Sequence, residues 1–406
     1  MWTWLTWRRV AALAICVCCW PATARAQFAV AGQVTATAAS GDDNFGGYFN
    51  YTDYSHNALQ MLRVSLSAMW HPVDQLALLA EVRSENAEHV MPYALYVRVR
   101  PWKGRAFDIQ AGRIPTVFGT FSRRYDADNP LIGVPLAYQY LTTLRPDSVP
   151  VSADNLLPFR GLGWEVAYPV GDHVATTGVP LVNSYRWDTG VEAHGATRYI
   201  DAALAVTSGT LSNPRVDDDN RGRQVSARVA AKPVIGLVVG ASAASGEFLS
   251  RNISDFYGQV FPGAHYRQRG LGLDAEYSRG YWIVRGEWIQ SRWTLPAANL
   301  PYISDPLRAT SGYVEAKYRF TPRFYAATRV DHLGFSNITG KVQTPDAPGQ
   351  PTPWDAPVTR IELGGGAHLS RHFLARTAVQ YNWRDRPIRF VASHRFYVAG
   401  QLTFTF

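Results

Sequence analysis

The residues able to do chemistry are mostly charged, and they recur at every second position. Arg63, Arg83, Arg98, Arg228, Arg285, Arg329, Arg360 and Arg376 fall between apolar neighbours, and so do Glu81, Asp108, Glu276, Glu287, Glu315 and Glu362. Such side chains can screen, attract or repel passing ions, or pair with one another across strands and brace a wall. Catalytic patterns are weaker. His368 and His372 stand four apart, a metal-binding spacing only on a helix, and no Gly-x-Ser-x-Gly elbow or phosphate-loop pattern occurs. Asp217 to Asn220 could hold calcium through oxygen ligands, but such runs are more often solvated loops. An enzyme would need a nucleophile beside His332, His368 or His394, and no spacing supplies one. No catalytic residue, metal or cofactor is expected.

The elements that carry these charges are strands. His394 to Phe406 sets Phe396, Val398, Leu402, Phe404 and Phe406 on one face and Tyr397, Ala399, Gln401, Thr403 and Thr405 on the other, a period of two. The same alternation runs through Phe28 to Thr37, Leu62 to Trp70, Leu271 to Tyr277, Val314 to Phe320 and similar stretches, including Trp164 to Tyr168. Such a strand needs an apolar medium on one side and tolerates water on the other. Lipid and a lumen supply both. A charge on the lipid face costs about 2–4 kcal/mol at mid-membrane, so the fourteen charged residues named above belong inside.

Met1 to Ala26 has Arg8 and Arg9, an apolar run from Val10 to Trp20 and an Ala24-Arg25-Ala26 exit, the form of a signal peptide cleaved after Ala26. All three cysteines lie within it, which excludes disulfides, thiolate metal sites and cysteine nucleophiles from residues 27–406. The formal charge of +8 falls to +5 when Arg8, Arg9 and Arg25 leave with no acid, too mild an excess for a nucleic-acid footprint. No later apolar run is long enough for a membrane helix.

Connections alternate between short turns, such as His71 to Gln75 and Ser278 to Gly280, and long polar loops, such as Gly246 to Arg267 and Gly334 to Pro357. That asymmetry predicts an all-β transmembrane antiparallel barrel with short periplasmic turns and long extracellular loops. Parity, with a weak strand in Val182 to Val191 and a turn at Ala193 to Thr197, predicts about 18 strands, with 16 as the alternative. Trp102, Tyr168, Tyr281, Trp282, Trp288, Tyr318 and Trp383 suit interfacial girdles. The longest connection, Ile114 to Leu162, is a candidate constriction loop whose charges Arg113, Arg123, Arg124, Asp126, Asp128 and Arg145 would meet a solute; the other expectation is a loop lying over a neighbouring subunit.

Gly112 to Gly119, Asn213-Pro214 with Asp217 to Asn220, and the terminal Phe406 together resemble the bacterial outer-membrane porin superfamily, nearest in pattern to phosphate-selective porins. Lysine is confined to Lys103, Lys232, Lys317 and Lys341, so phosphate selectivity is not implied. The resemblance implies a passive pore for small hydrophilic solutes, with anion preference as an expectation, set in outer-membrane lipid, delivered through its C-terminal strand to the barrel assembly machinery, with a homotrimer as the assembly to test. A non-conducting anchor or adhesin and a barrel enzyme are the rival expectations.

Overall fold

The computed structural model describes residues 27–40, 49–52, 57–102, 104–121, 129–216, 220, 222–341, 349–385 and 394–406. The expected signal segment and the acidic run at 217–219 lie outside them.

Sixteen antiparallel strands close into one barrel in sequence order. They are β1 Gln27–Ala39, β2 Met61–Val73, β3 Leu76–Glu85, β4 His89–Val99, β5 Phe107–Ile114, β6 Asp188–Ala196, β7 Ile200–Thr207 and β8 Gln224–Val234. The second half comprises β9 Leu237–Glu247, β10 Arg267–Arg279, β11 Trp282–Trp293, β12 Leu307–Arg319, β13 Phe324–Phe335, β14 Val358–His368, β15 Phe373–Arg384 and β16 His394–Thr405. β16 returns to pair with β1, from Gln33 opposite Thr405 to Ala39 opposite Ala399. The seam is completed by Gly32 and Phe406, which exchange two backbone hydrogen bonds of 3.0 Å. A Cβ on Gly32 would stand 2.1 Å from the Phe406 ring, so a side chain at position 32 would displace the terminal aromatic from where it lies.

The alternation becomes two surfaces. Leu62, Leu66, Leu271, Leu273, Val314, Val330, Leu363 and Val398 are exposed on the outside, while the adjoining Arg63, Asp274, Glu315, Arg329 and Glu362 point inward. At the short-turn rim aromatic rings gather: Trp282 lies 4.6 Å from Tyr318, Phe320 5.0 Å from Tyr318 and Phe373 4.8 Å from Phe404, a girdle of the interfacial kind. Tyr168, expected in that girdle, is instead buried inside the barrel.

The strand count is the lower of the two expected values. Trp164 to Tyr168 alternates as well as any wall strand but makes only one isolated bridge, Val166 to Thr176, inside the connection between β5 and β6, which spans 115–187 and so runs past the expected end at Leu162. The weak strand expected in Val182 to Val191 starts at Asp188 and runs to Ala196. The long-loop rim has one short member, the 86–88 turn, where Asn86 and Ala87 take φ of 50° and 60°, the positive pair that a tight hairpin requires.

Candidate functional site in the barrel lumen

Strand register places oppositely charged residues side by side at one height. Glu276, Arg285, Glu315, Arg329, Glu362 and Gln380 are successive cross-strand partners from β10 to β15. The distances are 2.7 Å for Arg285 to Glu276, 3.8 Å for Arg285 to Glu315, 3.3 Å for Arg329 to Glu315 and 2.6 Å for Arg329 to Glu362. Directly opposed residues lie close enough for such pairs, and the guanidinium fork can serve two carboxylates at once. Arg329 and Glu362 are enclosed, so each compensates the other's lost hydration. Elsewhere on the wall Arg63 meets Glu85 at 2.5 Å, Arg83 meets Glu81 at 2.9 Å and stacks on Tyr93, and Arg228 meets Asp274 at 2.5 Å. Asp108 faces His194 at 3.4 Å, and the other nitrogen of that imidazole faces Asp201 at 3.3 Å. Most of these wall charges therefore stand in ion pairs. Arg98 differs: half-buried and opposite Ala77 and Gln110, it pairs with no carboxylate among the described residues.

The remaining wall charges hold the long connection, which runs inward. Arg360 donates to the carbonyls of Val134 (2.7 Å) and Phe49 (2.5 Å) and to Asn382 Oδ1 (2.7 Å). Arg376 donates to the Asn129 carbonyl. Glu362 accepts from the Gly133 amide at 2.8 Å, and Asp331 from the Leu136 amide. Glu287 accepts from Tyr138 Oη and Thr120 Oγ1, each at 2.7 Å, and from the Phe121 amide at 3.1 Å. Gly133 comes so close to the wall that a Cβ there would stand 2.5 Å from Glu362. Charged groups on the wall thus satisfy backbone groups that an unpaired interior segment would leave stranded.

Apolar packing completes the attachment. Phe118, Tyr138, Tyr140, Leu144, Leu156 and Leu181 of the connection join Ile289, Trp293, Leu333 and Val358 of the wall, with Phe49, Phe248 and Trp354 from other loops, in one buried cluster. Asp355, on the loop after β13, is fully enclosed and accepts from the amides of Thr143 (2.9 Å) and Gly161 (2.7 Å). Burial pushes its carboxyl up to about 6 against those bonds and nearby Arg384. Burial also raises the hydroxyls of Tyr140 and Tyr168.

Of the expected constriction charges, Arg145 is corrected. Its side chain is enclosed, bonded to the carbonyls of Val166 (2.6 Å) and Val174 (2.7 Å) and to Asp147 (3.0 Å), so it braces the connection rather than meeting solute. Arg113 is buried at the end of β5 and donates to the Trp187 carbonyl at 3.2 Å. Arg123, Arg124, Asp126 and Asp128 lie outside the described residues.

Free space lies against the opposite wall. Ser67, Met69, Glu81, Ala94, Tyr96 and Trp187 surround a cavity of about 150 Å³. Further toward the long-loop rim Arg83, Glu85, Tyr93, Arg113 and Tyr185 surround a space of about 20 Å³. Trp187 stands where the two approach, 5.0 Å from Tyr93 and 6.3 Å from Tyr96. Reading the sequence missed Trp187, Tyr93 and Glu85. Glu85 was available as the next alternate residue after Glu81 and Arg83, whereas Trp187 precedes its strand and obeys no period. The histidines weighed for catalysis bond elsewhere: His332 to Thr359 and His394 to Tyr381, both at 2.8 Å.

No family model matches the chain, and no curated protein matches it. Solved structures do. OmpT, an outer-membrane protein of Vibrio cholerae, is 10% identical, with 95% of this chain and 99% of that one covered at a TM-score of 0.54. The anion-selective porin from Comamonas acidovorans is 11% identical, with 94% and 100% covered at 0.52. The outer-membrane channel DcaP of Acinetobacter baumannii is 8% identical, with 95% and 99% covered at 0.53. Closed wall, outward apolar surface and these similarities together make the chain a bacterial outer-membrane β-barrel.

Proposed function

We propose that this barrel is a passive diffusion porin for small hydrophilic solutes, narrowed by its inward connection and entered along the β2–β5 wall past Trp187. The observation that carries this reading is the one-sided fastening of the connection. Arg360, Arg376, Glu287, Asp331 and Glu362 bind it to the β11–β15 wall, while the open spaces beside Glu81, Arg83, Glu85 and Trp187 lie on the far side. Because most lumen charges are paired, ion preference is modest and rests on Arg98 and on Lys317, whose ammonium sits 4.1 Å over the Tyr325 ring. The preference is for anions; the scarcity of lysine gives no support for phosphate selectivity. Removal of 1–26 on export, delivery through the β16 strand to the assembly machinery and association as a homotrimer belong to the same proposal.

One observation favours a second reading, a non-conducting anchor: the loop-rim half of the lumen holds a large apolar cluster. Planar-bilayer recording separates the two. A porin gives discrete steps that grow when Trp187→Ala widens the passage. Absence of steps in both the parent and this variant would retire the porin reading in favour of the anchor.

A further inference from the structure

Charge also appears on the outer surface, as a cluster near the long-loop rim. Arg269, Arg292 and Arg308 are cross-strand partners on β10, β11 and β12, all exposed. They share the outward parity of Leu271, Trp288 and Val314. Strands stand about 4.8 Å apart, so three cations are rooted within roughly 10 Å. Like charges directly opposed repel. One rung nearer the loops, Arg267 is neutralised by Glu247 at 2.7 Å. In the Arg269–Arg292–Arg308 row no carboxylate pairs with any member among the described residues, and the side-chain contact is Arg292 to Gln290 at 3.0 Å.

The height of the row indicates what neutralises it. Arg292 lies ten residues along β11 from Trp282 of the short-turn aromatic girdle. Ten residues at about 3.4 Å, on a strand tilted by about 40°, rise about 26 Å, close to the roughly 25 Å height of an outer-membrane apolar band. The guanidinium groups therefore sit at the headgroup level of the outward-facing leaflet. Directly below them a groove of about 520 Å³ is floored by Val225, Ala227, Ala243 and Leu271 and bordered by Arg269 and Arg292. Cationic forks above an apolar furrow complement one molecule with phosphate at its head and an acyl chain below.

We propose that the outer face of β8–β12 is a binding site for a phosphate-bearing lipid of the outer leaflet, its phosphate held by Arg269, Arg292 and Arg308 and a chain laid in the groove. The test is native mass spectrometry of the full chain in detergent, with bis-phosphorylated lipid A, the same lipid dephosphorylated, and inorganic phosphate as competitor. The phosphorylated lipid is expected to be retained at least about tenfold better than the dephosphorylated one, and R269Q/R292Q/R308Q to lose that advantage while the corresponding triple lysine variant keeps much of it. Equal retention of the two lipids by the parent protein, which needs no variant, overturns the proposal. So does parent-like retention by the triple glutamine variant. Displacement by millimolar inorganic phosphate would show a free-anion site and overturn it too. These outcomes read lipid retention alone and do not depend on whether the barrel conducts.

Discussion

Arg360→Ala is the sharpest test of how the lumen is built. The guanidinium is fully enclosed, and two of its three bonds reach into loops: Val134 of the inward connection and Phe49 of the β1–β2 loop. Hydrogen bonds to a charged donor contribute about 1.5–3 kcal/mol each, so the substitution weakens the docking of each loop by about 1.5–3 kcal/mol, one to two orders of magnitude in its docked-to-undocked ratio. The barrel wall keeps its backbone pairing through β13, β14 and β15. The expected result is a folded barrel whose 129–187 segment is cut by protease far faster and whose single-channel steps become larger and noisier. Arg360→Lys keeps the charge but not the fork and should fall between. Parent-like proteolysis and parent-like steps in Arg360→Ala would refute the claim that wall charges hold the connection in place.

Three further outcomes follow. Arg98→Gln should reduce the reversal potential measured in a salt gradient toward zero, because it removes a half-buried wall arginine that pairs with no carboxylate among the described residues; an unchanged potential would assign the preference elsewhere. For Asp355 the folded pKa, about 6, is above the unfolded value of 3.8, so its contribution is present below about pH 4 and is lost as pH rises through about 6. Docking of the connection should accordingly loosen between pH 4 and 7, seen as faster proteolysis, and Asp355→Asn should flatten that dependence. Gly32→Leu should drive the Phe406 ring off the seam and slow the appearance of the heat-modifiable folded band; normal assembly would show that the ring over Gly32 does not matter.

Wall and lumen differed in how much of them could be read from residue order. A strand between lipid and water must alternate, so Leu271 to Tyr277 and Val314 to Phe320 declared both their conformation and their inward charges. Trp164 to Tyr168 alternates too, yet it lies in the lumen, because alternation records two unlike sides and not which strand is hydrogen-bonded beside it. Residue types along one strand also leave open whether Arg329 is a free cation or half of a pair. That depends on its facing Glu362 and Glu315, a matter of register between strands.

By itself the sequence determined a two-faced wall, an inward placement of charge and a rim bearing the long connections, since each follows from local alternation and from lipid's intolerance of charge. Only the tertiary structure decided that the connection after β5 folds inward, that Arg145 and Arg360 bind carbonyls rather than face solvent, and that Arg269, Arg292 and Arg308 stand abreast on the outside. The physical reason is that these outcomes depend on contacts between residues tens to hundreds of positions apart, whose partners no local pattern names.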